Sequence, residues 1–456
     1  MKEKMGEWYM SETNLILIVI AGISLLLFLI IRSKLHAFVA LLLVSLLVGI
    51  AAGMPLNEVI KSIQNGMGGT LGFIAVVVGL GAMFGQMLEV SGGAERLAQT
   101  LIKKFGENKA QWALGVTGFI VAIPVFFDVG FIILVPLVYG LAKKTGRSLL
   151  YYGIPLLAGL AVTHSFIPPT PGPIAVAELI GADLGWVILF GFMAGIPAMI
   201  LAGPVFGSFI AKKIHAVIPE YMDITEKNYE KELPSFRLIS SIIFIPLALI
   251  LANTVFGVIL PEDNNVRSIF TFLGHPFVAL TIATLLAFYL LGQKRGISKQ
   301  EVQNIATKAL EPAGIIILVT GAGGVFKQIL IDSGVGEVLG NMMASSSLPP
   351  VLLAFVIAAI VRVSQGSATV AMVTSAGLIS PLIETLSLTG PVLGLIVIAI
   401  AAGATILSHV NDSGFWLVNR YFGLDVKETL MSWTVMETII AIVGFGVVFV
   451  LSFFIV

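Results

Sequence analysis

Hydrophobic residues fall in blocks of some twenty along nearly the whole chain, parted by short polar connectors, without the period-2 or period-3.6 alternation of water-facing elements. A helix that crosses about 30 Å of hydrocarbon at 1.5 Å per residue needs roughly 20 residues. By that measure membrane-crossing helices are expected at 14–31, 36–53, 70–90, 149–181, 186–210, 238–260, 268–292, 310–331, 391–421 and 430–456, which makes ten. Two further stretches, 111–141 and 349–386, are too long for one crossing. Each is interrupted near its middle, by Phe126-Phe127-Asp128-Val129-Gly130 and by Arg362-Val363-Ser364-Gln365-Gly366-Ser367, and they read as re-entrant hairpins. The block 14–31 is followed by Arg32 and Lys34 and not by a small-residue cleavage site, so it is expected to remain as the first helix.

Basic residues orient these spans, because positively charged flanks are retained in the cytoplasm. Arg32/Lys34, Arg96/Lys103/Lys104/Lys109, Lys143/Lys144/Arg147, Lys212/Lys213, Lys294/Arg295/Lys299/Lys308 and Arg420/Lys427 occupy alternate connectors. The intervening connectors are poor in them, with Lys61 and Arg267 the few exceptions and Lys327 near the outer end of its span. The expected topology has both termini outside, Ser11 and Val456 included, and the polar segment 211–237 as a cytoplasmic linker between a first half, 1–210, and a second, 238–456.

The composition agrees. Hydrophobic residues make up 57% of the 456 and charged ones 11%, against about 25% charged in a soluble domain. Lys+Arg and Asp+Glu cancel to a formal charge of +0, so there is no basic excess to hold nucleic acid. The absence of cysteine removes disulfides, thiolate metal sites, iron–sulfur clusters and cysteine nucleophiles together. No His/Asp/Glu set has metal-ligand spacing, and no cofactor motif is present.

Shifted by 242 residues, the chain matches itself: 72–98 aligns with 314–340, with Gln86/Gln328, Ser91/Ser333, Gly92/Gly334 and Glu95/Glu337 among twelve identities. Apolar composition alone does not align Gln, Ser and Glu. In the expected topology the two copies run in opposite directions. The fold class is therefore an all-α polytopic membrane protein of two inverted repeats, with about ten crossings, two re-entrant hairpins and two interrupted helices. Scaffold helices lie at 14–53 and 238–292, and the repeats at 70–210 and 310–456. Paired discontinuous segments in inverted halves are the architecture of secondary transporters, whose halves exchange conformation around a central site.

The interrupted helices carry chemistry. Thr163-His164-Ser165-Phe166-Ile167-Pro168-Pro169-Thr170-Pro171-Gly172-Pro173 removes too many amide donors to stay helical. Ser408-His409-Val410-Asn411-Asp412-Ser413-Gly414 places polar residues between apolar flanks. Irregular backbone at such depth needs protein or a wet cavity to satisfy it, so the two segments are expected to face one another. Asp128 lies about 25 Å into its hairpin and Arg362 about 20 Å into the other. They read either as an ion pair that staples the hairpins or as functional groups, with Arg362 holding a substrate carboxylate in its planar fork and Asp128 a proton. His164 and His409 stand at equivalent repeat positions, as neutral core histidines or as titrating groups, and Asp412 is a further proton or cation candidate. Ser364, Gln365, Ser367, Thr369, Ser165, Thr170, Asn411 and Ser413 suit the hydroxyls of a polyol acid. Gly79, Gly81 and Gly85 read as helix-packing positions, since no lysine follows them as in a phosphate loop.

The Phe126-Phe127-Asp128-Val129-Gly130-Phe131 tip, the Thr163-to-Pro173 run, and Gly68-Gly69-Thr70-Leu71-Gly72 with Gly79-Leu80-Gly81-Ala82 together resemble the gluconate permease family over nearly the whole chain. That family resembles a branch of the ion-transporter superfamily, which implies a dimeric scaffold, here a homodimer, and an elevator-like movement of the transport domain. The resemblance implies a proton symporter for gluconate or related sugar acids in a bacterial cytoplasmic membrane; some relatives carry D-serine. Two positions depart from the family pattern: Asp128 stands where Glu is common and Thr170 where His is common, which leaves a titratable acid in the hairpin but removes an imidazole beside the prolines. The expected partners are a small hydroxylated carboxylate, protons and the lipid bilayer. Competing readings are Na⁺ coupling, a passive channel, and a membrane-embedded enzyme, for which no nucleophile–base spacing is present.

Overall fold

The structure, a computed structural model, describes residues 12–106, 109–219, 233–334, 338 and 348–455. Ser11, Val456, the central part of the linker (220–232) and the repeat partners Glu337 and Leu339 lie outside the described residues. Within them every regular element is a helix.

Among the described residues nine helices are long and apolar enough to cross a membrane, and the protein is a polytopic membrane protein. Eight of them coincide with expected crossings. The block 36–53 forms a shorter helix, Ala37–Ala51, because Pro55 and Gly53 end it early. The block 391–421 divides into Pro391–Gly403 and Ser413–Phe422, each too short to span alone. The ninth crossing-length helix is Ala368–Thr385, an arm of the second hairpin. Two expected boundaries move outward: 70–90 is the end of a 35-residue helix, Leu56–Val90, and 310–331 belongs to the 34-residue helix Lys299–Asp332.

These two long helices lie against each other. Their crossing needs glycine, since a Cβ on Gly66 would come 2.6 Å from the Gly324 carbonyl oxygen. Each helix also ends in the same way, at a repeat-related pair: Gly92 (φ +77°) and Gly334 (φ +75°) follow Ser91 and Ser333, whose hydroxyls donate to the carbonyls of Leu88 and Leu330. After each long helix comes a hairpin, a broken helix and a last helix with a π turn, Leu201–Val205 in the first half and Leu430–Thr434 in the second. A large apolar core runs through both halves, while the first two helices, Glu12–Ile31 and Ala37–Ala51, build a smaller cluster with residues of Lys299–Asp332.

The two described flanks of the polar segment 211–237 are each bonded to a basic connector. Arg96 donates to the carbonyls of Leu233 and Pro234 at the end of the linker, and Ser148, beside Arg147, donates to Ile214 and accepts from Ala216 just past Lys212 and Lys213. Lys327, the exception to the charge alternation, donates to the Leu179 carbonyl at 2.8 Å, where a helix C-terminus favours a cation. Glu384 stands 3.8 Å from the same ammonium.

Candidate functional site

All four interrupted elements meet at one cavity of about 530 Å³. The first hairpin contributes Phe126 to Val129 and the first broken helix contributes Ala161, His164 and Ser165. The second hairpin supplies Arg362 and Gln365 to Thr369, and the second broken helix Asn411 to Gly414. Pro312 and Ile316 of the second long helix, with Trp433 and Glu437 from the end of the chain, complete the wall.

Local sequence explains each break. The first hairpin turns at 122–126, earlier than the Asp128 region that its polarity suggested, because Pro124 has no amide to donate and Phe126 takes up the extended N-cap conformation. Asp128 therefore sits in the first turn of Phe127–Thr145, exposed toward the cavity, at a helix end that favours a negative charge. The second hairpin needs only Gly366 and Ser367 between Pro350–Gln365 and Ala368–Thr385. Gly366 has φ +92° and its Cα faces the Asn411 carbonyl so closely that a Cβ would overlap it. The first broken helix stops at Phe166 and resumes at Pro171, since prolines are tolerated in the first turn, where no amide donor is required. The second stops at Gly403 and resumes at Ser413, with Asp412 as N-cap accepting from the Gly414 amide at 3.1 Å.

Arg362 is the centre of the polar network. Its side chain is 2% exposed, its Nη2 donates to Asp412 Oδ2 at 2.5 Å, and its Nη1 donates to the Gly366 carbonyl. Its Nε has no partner. Among the expected acids, Asp412 and not Asp128 is thus the one bonded to Arg362. Asp412 Oδ2 also accepts from the Ser408 hydroxyl at 2.5 Å, which in turn accepts from the Trp433 indole N–H at 2.7 Å. Thr434 donates to the Ser408 carbonyl. The broken helix is clasped to the hairpin by Asn411 Nδ2, which donates to the Val363 carbonyl at 3.1 Å, and by His409 Nε2, 3.2 Å from the same oxygen and bonded in the tautomer that carries its proton there.

Of the residues singled out in the sequence, Asp128, His164, Ser165, Arg362, Gln365, Ser367, Thr369, Asn411, Asp412 and Ser413 share the cavity. Ser364, Thr170 and His409 are not among its lining residues. Ser364 and Thr170 donate back to the Ile360 and Ile167 carbonyls, both at 2.7 Å. His36 and His275 cap helices, each accepting from an amide at 3.3 Å. The sequence reading missed Trp433 and Glu437. Glu437 was findable by the same rule that found Arg362, as the one charge in the block 430–456.

Comparison with known proteins bears on the family and the fold. The family model of the GntP family permeases matches residues 14–454. The chain is 44% identical over 436 residues to a low-affinity gluconate transporter of Escherichia coli K12, covering 95% of this chain and 97% of that one. It is 43% identical over 429 residues to the Gnt-II system L-idonate transporter of the same organism, with 94% and 97% covered. The crystal structure of the Alcanivorax borkumensis YdaH transporter superposes with a TM-score of 0.65 at 15% identity, over 92% of this chain and 98% of that chain, which is a likeness of fold. The relatives are named as transporters and not as enzymes, in keeping with the missing nucleophile–base pair. The chain belongs to the GntP permease family.

Proposed function

We propose that this permease takes up gluconate or a related small hydroxylated carboxylate into the cytoplasm, coupled to protons. The observation that carries the reading is Arg362: a buried guanidinium, spare at Nε, at the meeting point of two hairpins and two broken helices. A planar fork matches a carboxylate in bidentate geometry, and with Asp412 holding Nη2 the edge that carries the free Nε is the one left to a substrate. Ser165, Ser367, Thr369, Asn411, Ser413 and Gln365 offer the hydroxyl, amide and carbonyl groups that a polyol chain needs. The names of the gluconate and L-idonate relatives support an aldonate.

Proton coupling draws support from the acids and the imidazole in the cavity, Asp128, Asp412, Glu437 and His164, against one lining cation, Arg362. Asp128, exposed at the cavity, exchanges protons with the bath, whereas His409 serves as a clasp. Alternating access follows from elevator-like motion of the hairpins and broken helices against the scaffold helices of a homodimer, with both termini outside, in a cytoplasmic membrane.

Uptake into proteoliposomes tests the reading, with a panel of aldonates, glycerate and D-serine and with pH and Na⁺ gradients imposed separately. Accumulation of an aldonate under an inward proton gradient alone is the expected result. Accumulation that follows only Na⁺ replaces the proton, and flux indifferent to both gradients makes the protein a passive channel.

A further inference from the structure

Glu437 has no place in the substrate contacts above, yet it stands in the same cavity. It is 4% exposed, and its Oε1 has no hydrogen-bond partner. It lies one helical turn after Trp433, on the same face of the last helix, so the Trp433–Ser408–Asp412–Arg362 network runs beside it. The charges acting on it are Arg362 and Asp412.

The helices packed against the last helix add little else. Pro350–Gln365 brings Arg362 and Leu149–Phe166 brings His164, with Tyr151 and Tyr152 at its far end; Pro391–Gly403 and Leu184–Ile200 bring no titratable group. Lys427 and Glu428 precede it across the π turn, and Asp128 reaches the cavity from the first hairpin.

We propose that Glu437 is the group that takes up the coupled proton, because the substrate carboxylate and the Glu437 carboxylate compete for the free edge of Arg362. The proposal rests on the proton-coupled reading given above. Three side-chain atoms of this cavity's lining lack partners, Arg362 Nε, Glu437 Oε1 and His164 Nδ1, and of these groups only Glu437 is a carboxylate that can compete with a substrate carboxylate for the guanidinium. In the empty carrier the ionised Glu437 turns to the guanidinium edge. A substrate carboxylate that binds in the fork occupies Nε and displaces Glu437, which is then a buried carboxylate with no counter-charge. Burying that charge alone is costly, whereas a neutral carboxylic acid is tolerated, so Glu437 accepts one proton from the outer solution. No bond of the substrate changes. The proton leaves to the cytoplasm once the substrate has gone and the Arg362 edge is free again.

The charge count supports this. With Asp128 set aside at the open side of the cavity, Arg362, Asp412 and Glu437 together carry one net negative charge, and one substrate carboxylate arriving with one proton leaves that charge unchanged. The acids already described suit the role less well: Asp412 accepts from Arg362, Ser408 and Gly414, and Asp128 faces the open cavity.

Calorimetry of gluconate binding to the purified protein, repeated in buffers of different ionisation enthalpy, counts protons taken up per substrate. The parent is expected to take up about one, with Kd weakening about tenfold per pH unit where the empty site is deprotonated. Glu437→Gln is expected to take up none and to lose that slope, and Glu437→Asp to restore both. Asp128→Asn is expected to keep the count near one, whatever its uptake rate. A proton still taken up by Glu437→Gln, or lost in Asp128→Asn, overturns the assignment to Glu437 alone. A parent that takes up no proton, and that accumulates substrate only under a Na⁺ gradient, overturns proton coupling itself and the assignment with it.

Discussion

Replacing Arg362 by lysine keeps the positive charge and removes the fork, which isolates the question of how the carboxylate is held. In the structure the two ends of the guanidinium do different things: Nη2 is bonded to Asp412 at 2.5 Å and Nη1 to the Gly366 carbonyl at the hairpin tip. A lysine ammonium is a point charge on a flexible stem and serves one of these partners well, not both, and it offers no second parallel donor to a bidentate carboxylate. At least one charge-assisted hydrogen bond is lost, worth roughly 1.5–3 kcal/mol. The side chain is 2% exposed, so solvent does little to soften the loss. Binding of gluconate should weaken about 10- to 150-fold, at 1.4 kcal/mol for each factor of ten. Calorimetry with the purified protein reads this directly, provided that an uncharged alditol of the same length is measured beside the acid. A carboxylate anchor requires the acid's advantage over the alditol to shrink in Arg362→Lys while the alditol's own weak affinity stays put. Equal affinity for the acid in parent and variant refutes the reasoning and leaves Arg362 as the bolt between the hairpin and Asp412.

Three further expectations concern the frame around that contact. Gly366→Ala puts a Cβ at φ +92° and against the Asn411 carbonyl, which costs at least about 1–2 kcal/mol; melting temperature in detergent and substrate affinity should both fall, and an unchanged pair of values removes the tip from the site. Ser408→Ala strands the indole N–H of Trp433, which is 3% exposed, at a cost of about 1–3 kcal/mol. Trp433→Phe should cost less in that background than in the parent, and strict additivity in this double-mutant cycle rejects the bond. The chain has no cysteine, so single introduced thiols report topology without background: Glu262→Cys should react with an impermeant reagent from the outside and Lys104→Cys from the cytoplasm only, the reverse pattern overturning the assigned orientation.

Much of the frame was legible because hydrocarbon imposes one rule, that backbone polar groups be satisfied within the segment, and long apolar runs obey it as helices. The two hairpins, the two breaks and the recurrence of Ser91-Gly92 as Ser333-Gly334 were visible as local departures from that rule. Positions shifted where the departure was itself apolar. The first hairpin turns through Ala122-Ile123-Pro124-Val125-Phe126, which hydropathy reads as continuous helix, and the polar Asp128 drew the expected tip toward itself. At the second hairpin Gly366 and Ser367 are polar and glycine together, so the expected and observed tips coincide. Long helices were underestimated for the converse reason: 56–69 and 299–309 are polar enough to read as connectors, yet their amides bond within the helix all the same.

The site divided along a different line. Spacing along a helix fixes how deep a charge lies, at about 1.5 Å per residue, but not which neighbour it faces, because azimuth depends on how separate elements pack. Depth was enough to single out Arg362 and Asp128. It was not enough to choose Arg362's partner, which proved to be Asp412, fifty residues further along the chain at the N-cap of a different helix. Glu437 shows the complementary failure. It sits about 10 Å into the block 430–456, shallower than Arg362, in a run whose remaining residues look like an ordinary crossing, and the sequence reading passed over it. Only the packing of the last helix against the second hairpin brings that carboxyl to the cavity wall, where a buried carboxyl oxygen without a partner stands beside the Arg362 network and makes Glu437 the acid whose removal says most about coupling.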